Sequence, residues 1–155
     1  MVGSSLGQAA VLGEDLACVE ILAAQNRFDW DVPNRRGETP LYNALEGGLS
    51  DIVDIILRRT KDYKVRTEDG ATLGHAAVLG DEKGKGDAGK RSCVEKFAAL
   101  KNFDGWNICD SDGNTPIMLA LMMDRIKMVE ILANCPRVNL DFVYDSGKYL
   151  EDVAR

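Results

Sequence analysis

The sequence predicts an all-α solenoid, a stack of helix-turn-helix units with β-hairpin-like turns between them. Two repeat periods and one register predict it. Leu6 to Glu14 recurs as Leu73 to Asp81 with seven identities in nine positions at an offset of 67. Inside that long period lies a shorter one, because Gly3, Gly37, Gly70, Gly113 and Gly147 stand 34, 33, 43 and 34 residues apart. The unit is therefore about 33 residues long, the size of one supersecondary element in a repeat array. The register repeats too: Ser5, Thr39, Thr72 and Thr115 follow their glycines by two positions, and Ala10, Ala44, Ala77, Ala120 and Ala154 follow by seven.

These spacings divide the chain into units at about 1–33, 34–66, 67–109, 110–143 and a partial unit at 144–155. In the first unit Ser5 precedes a helix through Ala9-Ala10-Val11-Leu12, and Cys18-Val19-Glu20 pairs with Cys93-Val94-Glu95 at an offset of 75. The second unit opens on Gly37, which permits the positive φ of a tight turn, and Thr39, whose hydroxyl can accept from a backbone N–H at the helix start. Pro40 then falls in the first helical turn, where a missing N–H costs nothing. Ile52-Val53-Ile55-Ile56 supplies the apolar stripe of that unit's second helix.

The third unit repeats the pattern from Gly70 and Thr72, with Ala76 to Leu79 in a helix, and is lengthened by a charged, glycine-rich insert at 81–91. This insert reads as a solvated loop joining the unit's two helices. In the fourth unit Gly113-Asn114-Thr115-Pro116 matches Gly37-Glu38-Thr39-Pro40, and Met128-Val129-Ile131-Leu132 forms the second stripe. Small residues at Ala44, Ala77 and Ala120 let successive first helices approach closely. No helix buries its stripe alone, so stability comes from stacking neighbours. Gly147 to Ala154 begins a fifth unit and stops inside its first helix. It reads either as a worn capping unit, with Glu151, Asp152 and Arg155 as its polar face, or as the point where a longer array is cut. The second is favoured, because solenoids need polar caps and Ala9-Ala10-Val11-Leu12 make a poor one.

The motif residues resemble the ankyrin repeats, whose unit opens with a turn and G-x-T-P-L-H-x-A before two antiparallel helices. Gly37-Glu38-Thr39-Pro40-Leu41-Tyr42-Asn43-Ala44 and Gly113-Asn114-Thr115-Pro116-Ile117-Met118-Leu119-Ala120 are similar to it directly. Gly70-Ala71-Thr72-Leu73-Gly74-His75-Ala76-Ala77 is a looser copy, with Leu73 in place of Pro and Gly74 in place of Leu. The resemblance covers almost the whole chain. It implies an ankyrin-type solenoid and a protein-binding module without catalysis.

Composition narrows the functions. The chain of 155 residues carries 19 Lys plus Arg against 25 Asp plus Glu, a net charge of -6 with no domain-wide positive field to collect phosphate backbones, which argues against nucleic acid. The first residues lack the basic start of a secretory signal, and no window reaches the roughly 18 consecutive apolar residues of a membrane span. Four cysteines form no CxxC pair and no Cys/His metal spacing, so they read as reduced packing residues and place the chain inside the cell, in the cytoplasm or nucleus. Cys18 and Cys93 sit two units apart, roughly twice the 8–10 Å of packed helices, too far to pair.

Motifs that suggest chemistry fail on single residues. Gly84 to Lys90 has the G-x-x-x-x-G-K spacing of a phosphate loop, but Arg91 replaces the hydroxyl that would hold magnesium, and a helix rather than a strand precedes it. Asp110-Ser111-Asp112-Gly113-Asn114 resembles a calcium loop, but Thr115 and Leu121 stand where Gly and Glu are required, so the repeat turn explains it. His75, the only histidine, lacks a nucleophile or carboxylate arrangement and reads as a structural side chain bonding neighbouring turns. Trp30 and Trp106 are open to two readings, packing or interface anchor. No catalytic residue, cofactor or metal ligand is expected.

Carried onto matching positions, the resemblance implies a concave partner surface made of turn tips and first helices. The tip candidates are Arg35, Arg36, Glu38, Glu68, Asp69, Ala71, Ser111, Asp112 and Asn114, and the groove candidates are Glu46, Leu79, Met122 and Met123. Charge changes sign along the tips, from Arg35-Arg36 to Glu68-Asp69 and Asp112, so a partner laid across them needs complementary charge order. The expected function is a non-catalytic scaffold or adaptor that binds another protein and is monomeric as an isolated segment. The alternatives are a structural spacer within a larger cytoplasmic protein and a nucleotide-responsive module using the insert.

Overall fold

The computed structural model describes residues 5–83, 93–100 and 103–141 of the chain, the backbone alone at 81–83. Among the described residues eight α-helices run in order: α1 Leu6–Leu12, α2 Leu16–Ala23, α3 Pro40–Glu46, α4 Ser50–Leu57, α5 Leu73–Lys83, α6 Cys93–Ala98, α7 Pro116–Met122 and α8 Ile126–Ala133. They form four antiparallel pairs. First helices stack α1 on α3, α3 on α5 and α5 on α7, while α2 packs on α4 and α6 on α8. The predicted all-helical solenoid is what folds, and no strand occurs among the described residues.

The helix starts follow the register. Ser5 Oγ accepts from the Gln8 N–H at 3.2 Å while the Ser5 N–H donates to Gln8 Oε1 at 2.8 Å, a reciprocal cap on α1. Thr39 and Thr115 cap α3 and α7 by accepting from the Tyr42 and Met118 N–H groups at 3.3 and 3.5 Å. Pro40 and Pro116 stand as the first helical residues. Such caps satisfy backbone donors that a helix start otherwise leaves unpaired.

Among the described residues three hairpin-like turns project from the stack. In each, the glycine at φ near 80°, Gly37, Gly70 or Gly113, donates its N–H back three residues to Asn34, Thr67 or Asp110. A second bond closes each turn one residue further out, from Asn34 N–H to Glu38 O at 2.8 Å, Thr67 N–H to Ala71 O at 3.0 Å and Asp110 N–H to Asn114 O at 2.9 Å. Successive turns are also tied to one another, Glu68 N–H to Arg36 O and Ser111 N–H to Asp69 O, both at 2.8 Å. Thus the hairpin-like character is present as bonds, while each arm is too short to count as a strand.

Ala44, Ala77 and Ala120 are fully buried, as close stacking of first helices requires. Trp30 and Trp106 are also buried, at 2% and 1% exposure, which resolves their two readings in favour of packing. Trp106 meets Phe103 edge-on at 5.1 Å, and its ring lies over Gly74, where a Cβ would come within 3.0 Å of both that ring and Pro116. That close approach is the physical reason Gly replaces the usual Leu at position 74. Between α4 and α6 the link is polar: Lys96 Nζ donates to Asp54 Oδ2 at 2.8 Å, to the Ser50 carbonyl at 3.2 Å and to Ser50 Oγ.

The third pair departs from the others. In the other three pairs the residue four positions after the conserved-register Ala is left-handed, namely Glu14, Gly48 and Asp124 at φ of 54°, 67° and 56°, and it ends the first helix. The equivalent Asp81 is helical, so α5 continues through the first three residues of the insert to Lys83. Beyond it, the glycine-lysine spacing at 84–91 and the partial unit at 144–155 lie outside the described residues.

Candidate functional site

One groove of about 500 Å³ lies where the second, third and fourth turns meet α3 and α5. The second turn supplies Arg36 and Glu38, and α3 adds Tyr42 and Glu46 from one face, four residues apart and therefore neighbours on a helix. Thr67, Glu68, Asp69 and Ala71 come from the third turn, Leu79 from α5, and Asp110, Ser111 and Asp112 from the fourth turn. The turn-to-turn bonds from Glu68 to Arg36 and from Ser111 to Asp69 hold these three tips side by side. A volume of this size lies within the range of sites that enclose several side chains.

The tip side chains are set by local bonds. Asp110 Oδ1 accepts from the Asp112 and Asn114 N–H groups, both at 3.0 Å, so the calcium-like run is a self-bonded turn, as the repeat implied. Asn34 Oδ1 plays the same part in the second turn, accepting from Arg36 and Glu38 N–H. Glu38 in turn accepts from the Asn34 and Asn43 amides at 3.1 and 3.2 Å. Arg36 Nε lies 3.9 Å from Glu38 and 3.6 Å from Glu68.

Electrostatically the groove is negative, with six carboxylates and one guanidinium among its lining residues. Tyr42 reports that field. Its hydroxyl ionises far above its usual range, first because it is buried and then because Glu46 and Glu38 oppose a second negative charge. A hydrogen bond to Glu46 adds to the effect.

Tyr42 also explains where the concavity opens. At the equivalent position in the first pair, Gln8 Nε2 donates to the Glu38 carbonyl of the next turn, and in the third pair His75 Nε2 donates to the Asn114 carbonyl at 2.6 Å. Each of those side chains closes the gap between a first helix and the following turn. Tyr42 pairs with Glu46 on its own helix, and between α3 and the third turn the groove is found.

Nine of the thirteen sequence-nominated residues line this groove: Arg36, Glu38, Glu46, Glu68, Asp69, Ala71, Leu79, Ser111 and Asp112. Arg35 is exposed beside it and is not part of the lining. Asn114 is 9% exposed and outside the lining, and its carbonyl accepts from the Asp110 N–H and from His75. Met122 and Met123 separate: Met122 is 61% exposed one unit beyond the groove, whereas Met123 is half-buried against the core at the end of α7. Tyr42, Thr67 and Asp110 were missed. Their signal was their register, since Tyr42 holds the motif's His position and the other two open their turns.

His75 is 1% exposed and links the third and fourth units as its structural reading required. Burial lowers its pKa from 6.5 despite the opposing Asn114 carbonyl and the Asp110 carboxylate 4.0 Å away. No group of three or more His, Cys, Asp or Glu poised to hold a metal ion occurs among the described residues, and no helix there is long and apolar enough to cross a membrane.

The family model described as ankyrin repeat matches residues 112–143. Neurogenic locus notch homolog protein 1 of Danio rerio is 33% identical over 115 residues, which are 74% of this chain. The chain spans about 4% of the length of that relative.

Proposed function

Since the chain belongs to the ankyrin repeat family, we propose that it is a non-catalytic scaffold or adaptor module that binds another protein across its turn tips and first helices. Ankyrin repeats are generally protein-binding modules. The observation that supports this surface is the groove itself, because residues from three turns and two first helices converge on one concavity. A partner lying there touches side chains that are distant in sequence and brought into register only by stacking. Leu79 and the exposed Met122, at equivalent positions one unit apart, extend the contact with apolar surface, and Met adapts readily to a partner's shape.

Capture from cell extract by the immobilised chain, with the bound proteins identified by mass spectrometry, tests the reading. Replacing Leu79 and Met122 together by Gln should abolish the captured set while leaving helical circular dichroism unchanged. Capture of the same set by that variant places the partner elsewhere, and no capture by either protein returns the chain to a structural spacer.

A further inference from the structure

The groove's lining carries more charge than the turns neutralise. Arg36 is already engaged by Glu38 and Glu68, and Asp110 is held by the N–H groups of its own turn, which leaves Glu46, Asp69 and Asp112 without a cationic partner among the described residues. These three carboxylates come from α3, the third turn and the fourth turn, so they surround the concavity from different units. Like charges gathered around one concavity favour an incoming cation, and salt weakens that preference. The walls are not wholly polar. Buried Ala71, half-buried Leu79 and the ring of Tyr42 contribute apolar surface, and Met122 continues it outside.

Resting on the protein-binding reading above, we propose that the groove receives a basic segment of the partner protein. A lysine or arginine of that segment sits among Glu46, Asp69 and Asp112, and a neighbouring apolar side chain lies on Leu79 and Met122. Charge complementarity selects this occupant: an acidic segment meets three uncompensated carboxylates, and a nucleic acid or anionic membrane meets the same repulsion. An arginine fits the space best, because its planar fork can bond carboxylates on two sides. Arg36 bounds the groove at the second turn and sets polarity, disfavouring a cation placed beside it.

Fluorescence anisotropy with a labelled nine-residue peptide alternating leucine and arginine, against the same peptide with glutamate for arginine, tests the proposal on the full chain. The arginine peptide should bind and the glutamate peptide should not. In the triple variant Glu46→Gln, Asp69→Asn and Asp112→Asn, binding should weaken about tenfold, or about 1.4 kcal/mol. The triple variant Glu20→Gln, Asp62→Asn and Glu130→Gln removes equal charge away from the groove and should change binding less than about twofold. Arg36→Glu should tighten binding, the opposite direction on the same wall. Equal losses in the two triple variants, binding of both peptides, or no binding of the arginine peptide overturns the proposal. The two readings remain separable: loss of peptide binding alongside partner capture that still depends on Leu79 and Met122 removes the basic segment and leaves the protein-binding surface standing.

Discussion

The His75 imidazole is bonded on both ring nitrogens, and the bonds fix its state. Nδ1 accepts from the Thr72 N–H at 3.0 Å, so the proton resides on Nε2 and is donated to the Asn114 carbonyl. A second proton, on Nδ1, would face the Thr72 N–H and have only the Thr72 hydroxyl, also at 3.0 Å, as acceptor, so burial disfavours the charged ring. The folded pKa is therefore below the unfolded value of 6.5. As pH falls the unfolded chain takes up the proton first, so this contribution to stability is complete above about 6.5 and declines on acidification through the window between the two values. Urea midpoints measured from pH 8 to pH 5 should show that decline. In His75→Gln the slope should flatten with a loss of about 1 kcal/mol, since Gln8 already makes the equivalent bond in the first pair. His75→Ala, which removes both bonds and leaves a void, should lose about 3 kcal/mol. A pH slope unchanged in the Gln variant would assign it to other groups.

Among the helices, α5 carries the sharpest steric demand. A Cβ placed on Gly80 would lie 1.6 Å from the Leu45 carbonyl oxygen at the end of α3, because α5 runs past the point where the other first helices stop. Gly13, its sequence equivalent, would meet only carbonyls of its own helix at 3.4 and 3.6 Å. Gly80→Ala should thus cost about 3 kcal/mol through overpacking, whereas Gly13→Ala should be neutral or stabilise by about 0.5 kcal/mol through the unfolded chain. Thermal unfolding of the two variants compares them directly, and equal midpoints would show that α3 and α5 can separate without cost. The contrast also marks a limit of sequence reading. The turn glycines, helix caps and stacking alanines were legible because each is dictated within its own unit and recurs at a fixed spacing. Gly80 falls in the same pattern as Gly13, and its role depends on a helix from another unit. Likewise Tyr42 stands at the motif's His position, while its place in the groove depends on residues of the next turn.

Across the whole molecule, burial is unequal along the stack. Leu6 is 64% exposed, while its equivalents Pro40, Leu73 and Pro116 are buried against the preceding pair, and Ile21 on α2 is likewise 64% exposed. Stability in such arrays is a sum over neighbours, so the first pair contributes fewer stacking contacts than the inner ones. Amides of α1 and α2 should exchange with solvent at lower free energy than those of α3 and α5, and uniform protection would instead describe one all-or-none unit. The net charge of -6, which in the sequence only argued against nucleic acid, acquires a location in the groove. The bonds from Glu68 to Arg36 and from Ser111 to Asp69 have a mechanical consequence. Directional backbone bonds resist stretching more stiffly than sliding apolar contacts do, so they form an inextensible seam along one edge of the stack. A bending motion that keeps both bonds would open the stack like a fan on the side of the second helices, hinged at that seam, and leave the spacing of the three tips unchanged.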